Sequence, residues 1–355
     1  MGSTIVLELK TCLTIGVHFK TLTNLLKMRN VLRFAVVFQL AFVLSACTPM
    51  FKQAAIDPYA VEHEARQQRE AVLNLAMKRL ARLEGLSYPL RRAAVALCDE
   101  HEKGLGLEVH DESEYLKEYG AVAEALYHFG KTVKVYYVHP DSPATEAGIR
   151  DGDSIVAIEG QVLQQAKDWK KRLNEVSDKK DTVVLTINNS MGQRDILVPF
   201  VPVVSYDSVL LLYEERVKGY ADGNNIYISS GMLRLMESDE ELAFLIGHEL
   251  AHNCLIHISK KKWGWFLWPS GYLFVYGWKG AEIEADRLGV YIMARAGYDI
   301  TKSEQFLRHM ATTFPRNIKP GFFARHPPAP GRVLALKTTI AEIQRKVVTG
   351  EPLVP

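Results

Sequence analysis

His248-Glu249-Leu250-Ala251-His252 is the segment that most restricts what this chain can become. On a helix, residues four apart share a face, so both imidazoles can hold one divalent metal between them. Glu249 lies beside them, where its carboxylate can take a proton from water polarised by that metal. Ser238 and Glu241 make a capping-box start for a helix running through Leu242, Leu245 and Ile246 into the motif. Gly247 leaves room for a second backbone to pack close by. Two histidines need a third protein ligand, with the fourth position open to water. Further on, Glu282-Ile283-Glu284-Ala285-Asp286 supplies the candidates. Glu282 and Asp286 share a helical face, so one can bind metal while the other orients a ligand histidine; Glu284 falls on a different face.

The rest of the composition narrows the class. The chain has 355 residues, 43 Lys+Arg against 41 Asp+Glu, 48% hydrophobic and 24% charged residues. These proportions describe a globular chain rather than a disordered or fibrous one, and a net charge of +2 gives no footprint for nucleic acid. Four cysteines cannot build a disulfide-stapled scaffold.

From Met28, the expected true start, Arg29 and Arg33 precede an apolar run to Leu44, closed by Leu44-Ser45-Ala46-Cys47. This order describes a secretory signal, and the run is shorter than the ~20 residues of an ordinary transmembrane helix. The small residues before Cys47 resemble the lipobox of bacterial lipoproteins, which implies Cys47 as the lipidated N-terminus. Thr48 after it resembles the outer-membrane sorting pattern. Removal of residues 1–46 would leave 309 residues with a balance of −2, so the slight basicity belongs to the leader.

Six segments are expected: prefix and signal (1–46), tether (47–58), a helical part of the catalytic domain (59–100), a β-rich domain (101–202), the catalytic domain proper (203–345) and a tail (346–355). In the first helical part Val72, Leu75, Met77, Leu80, Leu83 and Leu86 recur at helical spacing. Strands are expected at 133–138, 154–158, 182–187 and 196–200, with a helix at 165–176. The run 133–160, with Ser142-Pro143-Ala144, Ala147-Gly148, Gly152-Asp153, Ile155, Ile158 and Gly160, resembles the PDZ domains of bacterial envelope proteases. By that resemblance Gly104, Leu105, Gly106 and Leu107 form a loop that receives a peptide carboxylate beside an open strand edge. Two readings stay open: the domain binds peptide, or it only braces the catalytic part.

The sequence also resembles the HtpX-like and CAAX-prenyl-protease-type gluzincins, metallopeptidase family forty-eight. The resemblance rests on Gly219 to Gly223, Ile226 to Gly231, Glu241-Leu242-Ala243, the H-E-x-x-H helix, and Glu282 to Asp286. It implies an α+β fold: a mainly helical metallopeptidase domain with a small sheet, interrupted by the PDZ-like domain. It further implies one Zn²⁺ held by His248, His252 and Glu282, with Asp286 behind them, and Ile226, Tyr227 and Ile228 as the edge strand that holds substrate. His326-Pro327 and Arg332 resemble the family's C-terminal element. His326 would stabilise an oxyanion or approach zinc as a fourth ligand, and Arg332 would hold substrate backbone or a structural carboxylate.

From Trp263 to Trp278, eight of sixteen residues are aromatic, and Lys260 to Lys262 precede them. A dip into lipid headgroups and a buried hairpin or lid both fit this stretch. Cys98 is a candidate partner for Cys254, which helical geometry turns away from the histidine face. The expected function is a lipid-anchored, periplasm-facing zinc endopeptidase acting on unfolded or misassembled envelope proteins. The alternative is a PDZ-mediated chaperone or adaptor lipoprotein with minor or latent proteolysis.

Overall fold

The structure, a computed structural model, describes residues 55–130, 132–255, 272–315 and 330–355, and for 272–279 the backbone only. Residues 1–61 and 62–355 form two units, and only 55–61 of the first are described. Cys47, His326 and the stretch 263–271 therefore lie outside the described residues.

Helix α1 (Pro58–Ala94) is a single element of 37 residues. Its inner face carries Leu73 and Ala76, then Leu83, Leu86 and Leu90, all buried. Val72 and Leu75, expected in the apolar stripe, are 39% and 48% exposed. Each sits one residue, about 100°, round the helix from a buried neighbour, so the stripe follows Leu73 and Ala76 instead.

Strand β1 (His101–Gly104) pairs antiparallel with β8 (Val201–Val204), so the chain enters and leaves the β-rich region through one two-stranded ribbon. Between them, β2 (Leu107–His110), β3 (Val133–Val138), β4 (Ser154–Ile158), β6 (Thr182–Asn189) and β7 (Gly192–Pro199) form one antiparallel sheet. The short β5 (Gln161–Val162) pairs only with β4. Helix α2 (Lys117–Tyr127) fills the long spacer before β3 and was not foreseen. Helices α3 (Pro143–Glu146) and α4 (Trp169–Ser177) cover the sheet. Val133, Ile155, Val183, Leu185 and Ile187 alternate inward and, with Trp169 and Leu173, make a core of their own.

A second, larger core joins the C-terminal half of α1 to the remaining elements. Its sheet has the order β10 (Gly219–Ala221), β11 (Asn225–Ser229), β9 (Asp207–Leu211). This corrects the expectation for Ile226, Tyr227 and Ile228: β11 is the central strand, antiparallel to β10 and parallel to β9. The reason is that the chain, returning from β8, lays Asp207–Leu211 along the free side of β11. Both edges of the strand bearing the fully buried Ile226 and Ile228 are thereby hydrogen-bonded. Short β10 remains as an edge.

Helices α5 (Ser230–Leu235), α6 (Asp239–Cys254), α7 (Tyr272–Arg295), α8 (Lys302–Thr313) and α9 (Pro330–Thr349) complete the fold, which is α+β. Ser238 caps α6 by accepting the Glu241 N–H at 3.2 Å, and Glu241 Oε2 accepts the Glu237 N–H at 3.0 Å. Asp239, Glu240 and Glu241 in that first turn complement the helix dipole. Among the described residues no helix is long and apolar enough to cross a membrane.

Candidate metal centre

Helices α6 and α7 cross where each has a glycine. A Cβ on Gly247 would sit 3.1 Å from the Gly289 carbonyl oxygen, and one on Gly289 would sit 3.0 Å from the His248 nitrogen. Backbone contact at this crossing brings the acidic face of α7 against the histidine face of α6. The room expected at Gly247 is used here.

The result is a buried polar cluster. His248 Nε2 and His252 Nε2 are 3.2 Å apart. Glu282 Oε2 lies 3.4 Å from His248 Nε2, and its Oε1 lies 3.4 Å from His252 Nε2. Four ligands at ~2.0–2.1 Å from a tetrahedral zinc stand about 3.3 Å from one another, so these separations fit the ion. The donors fit in charge as well: Glu249, Glu282 and Asp286 are buried with Arg332 as their nearby cation, an acidic excess that a divalent cation would balance. Glu284, on the other face, is exposed.

Behind the ligands, His248 Nδ1 lies 2.9 Å from Asp286 Oδ1, which aims the other ring nitrogen at the cluster. Arg332 arrives from α9 and donates to both oxygens of Asp286, from Nε at 2.6 Å and from Nη2 at 2.5 Å. Its Nη1 is 3.2 Å from Glu282 Oε2. Of the two roles open to Arg332, the structure realises the contact with structural carboxylates.

Burial drives the His248 pKa down, but the hydrogen bonds and charges of Asp286 and Glu282 outweigh it and raise it to about 10. For His252 burial prevails, and its pKa is lowered. Burial raises Asp286, yet Arg332 and His248 overcome this and hold it below the usual carboxylate range.

Two supports flank the histidine helix: Asn253, which carries no sequence signature of its own, and the disulfide for which Cys98 and Cys254 were candidates. Asn253, 2% exposed, accepts the Gly223 N–H on Oδ1 at 3.0 Å and donates to the Asn225 carbonyl at 3.2 Å. It ties the β10–β11 turn to α6 one residue after His252. Cys98 and Cys254 form a disulfide with Cα atoms 5.1 Å apart, which fastens the chain just after α1 to the end of α6. The loop Gly104 to Leu107 joins β1 to β2, with Gly106 at φ +74°.

The fold and this cluster define a metallopeptidase that carries a separate β-rich module. Residues 198–264 match peptidase family M48, and residues 134–187 match the PDZ domain. The two matches support an M48 peptidase with a PDZ domain. The family match includes His248, Glu249 and His252 and ends before Glu282, Asp286 and Arg332, which the structure itself adds.

Among solved structures, the HtrA3 PDZ domain bound to a phage-derived ligand is 18% identical, covering 29% of this chain and 89% of that one, with a TM-score of 0.23. A PDZ domain protein from Parabacteroides distasonis is 23% identical over 30% of this chain and 22% of its own, with a TM-score of 0.24. The HtrA-type protease AlgW with decapeptide is 23% identical over 28% and 29%, with a TM-score of 0.22. No curated protein matches the chain.

Proposed function

We propose that the chain is a zinc-dependent endopeptidase, with His248, His252 and Glu282 as the ligands of one Zn²⁺. The observation that carries this reading is the convergence of the two Nε2 atoms and the Glu282 carboxylate at 3.2–3.4 Å. Zinc bound there would supply the Lewis acidity that lowers the pKa of water and polarises a peptide carbonyl. Glu249, next to His248 on α6, takes the proton from the attacking water and returns it to the leaving amine nitrogen. Asp286 fixes the His248 ring, and Arg332 keeps Asp286 ionised and holds both carboxylates in place.

Substrate backbone would pair with β10, the edge strand beside α6, where a Cβ added at Gly219 would meet the Leu245 side chain of that helix at 3.2 Å. Backbone pairing reads extended chain more than side chains, which suits unfolded or misassembled proteins. The lipobox-like sequence supports an envelope protein anchored at Cys47, facing the periplasm and held at the outer membrane. His326 remains a candidate for oxyanion stabilisation, and residues 101–202 are read as one domain inserted into the peptidase.

The test is digestion of an unfolded protein substrate by the purified chain. Activity should follow bound zinc, vanish with chelation and fall ~10²–10⁴-fold in Glu249→Gln. Undiminished cleavage by Glu249→Gln would sink the mechanism. Labelling with radioactive palmitate, lost in Cys47→Ser, tests the anchor.

A further inference from the structure

The PDZ module has the three parts of a peptide site. Strand β2 is an edge of its sheet, α4 stands beside it, and the loop Gly104 to Leu107 closes one end. Between them lies a cleft of only about 80 Å³, lined jointly by that loop, by α4 and by residues from outside the module. A water takes about 10–15 Å³ of such space, so the cleft holds several waters and is too small for a peptide strand of several residues. Leu105, Leu107, Trp169 and Leu173 are 2–7% exposed.

What fills the remaining space is the chain itself. Tyr88 of α1 lies over Gly106: a Cβ there would sit 2.7 Å from the Tyr88 ring and 2.4 Å from Ser142 Cβ. One turn further along α1, Arg91 enters the cleft. Its Nη2 is 2.6 Å from Glu102 Oε1, its Nη1 is 2.9 Å from Asp207 Oδ1, and its Nε donates to the Val204 carbonyl at 2.9 Å. Lys170 of α4 reaches the same two carboxylates, Glu102 at 3.2 Å and Asp207 in a short contact. Two cations and two carboxylates thus join α1, the ribbon, β9 and α4 across the cleft. The Arg91 and Glu102 side chains are 9% and 17% exposed while Asp207 and Lys170 are 35% and 47%, so the network is desolvated at Arg91 and open to water at Lys170.

We propose that this cleft is a peptide site held shut by helix α1. Arg91 and Lys170 are the cations that receive the free C-terminal carboxylate of an apolar-ended peptide, and Glu102 and Asp207 occupy them in the closed state. Carboxylate exchanges for carboxylate, so opening leaves neither cation bare. Leu105, Leu107 and Leu173 provide the apolar surface for the last side chain, and the edge of β2 provides its backbone partners. The bracing and binding roles are therefore two states of one contact.

The probes are fluorescein-labelled decapeptides ending in Val, Leu or Phe, each as the free acid and as the C-terminal amide. They are titrated by anisotropy into the full chain carrying Glu249→Gln, so that the outcome does not depend on the peptidase reading. Asp207→Asn and Glu102→Gln, two separate ways of weakening the latch, should each bind free-acid peptides at least tenfold more tightly than the parent. The amides should gain nothing, and adding Arg91→Met to Asp207→Asn should remove the gain. Equal binding by parent and both variants, equal binding of acid and amide, or binding by none of the proteins would each overturn the proposal.

Discussion

Arg332 holds both oxygens of Asp286, one at 2.6 Å from Nε and the other at 2.5 Å from Nη2. The pair is buried, at 5% and 2% exposure, and Asp286 in turn touches the far nitrogen of His248. A chain of contacts thus runs from α9 through α7 to an imidazole of the buried His248–His252–Glu282 cluster on α6.

Breaking that chain should loosen the metal before it unfolds the protein. Asp286→Asn and Arg332→Met are each expected to weaken zinc about 10–100-fold, read by competition with a chromogenic chelator. Glu249→Gln should leave zinc binding within a few fold of wild type. Equal loss in all three variants would mean that Asp286 and Arg332 do not act through the ligands.

The crossing of α6 and α7 tolerates no side chain. In Gly289→Val the added Cβ would meet the His248 backbone at 3.0 Å, where neither helix can yield without moving a ligand. A loss of about 1–3 kcal/mol is expected, read as a lower midpoint in urea unfolding, together with weakened zinc binding. Gly280→Ala on the same helix, where a Cβ meets nothing within 4 Å, serves as the control and should lose neither.

The disulfide spans 156 positions of sequence, a long loop to close. Cys98→Ser/Cys254→Ser should therefore cost about 2–5 kcal/mol, measured by chemical unfolding without reductant. Wild type under reductant should fall to the same value.

Glu108 is the group whose titration is most exposed to test. Burial and the neighbouring Asp207 raise its pKa, against the pull of Arg91 and Lys170, to about 7 from an ordinary 4.5. A raised folded-state value means the folded protein binds this proton more tightly than the unfolded chain. Its contribution to stability is complete below about pH 4.5 and is lost as the pH rises through about 7. Glu108→Gln should flatten this part of the profile, so the stability difference from wild type should change between pH 5 and 8. A parallel pair of profiles would show the residue ionised throughout.

The residues of the His248–His252–Glu282 cluster were legible because their signal is local. Four-residue spacing puts His248 with His252, and Glu282 with Asp286, on common helical faces whatever surrounds them. The cap at Ser238 and the alternating strands of the β-rich module follow from equally short-range rules. The position of β11 was not legible, since a strand's own sequence does not say whether a third strand will lie along its free side. Asn253 and Arg91 were missed for a related reason: an isolated Asn or Arg gains its role only from a partner distant in the chain.

The sequence by itself determined that His248 shares a helical face with His252 and Glu282 with Asp286, where the helix of the H-E-x-x-H motif is capped, and which strands of the β-rich module alternate. Only the tertiary structure brings the Glu282 carboxylate to 3.4 Å from both histidines, sets Arg332 on Asp286, and lays Tyr88 and Arg91 of α1 against the cleft of the β-rich module. Each of these depends on contacts between segments far apart in sequence, whose geometry is set by the packing of helices and sheets and not by residue spacing.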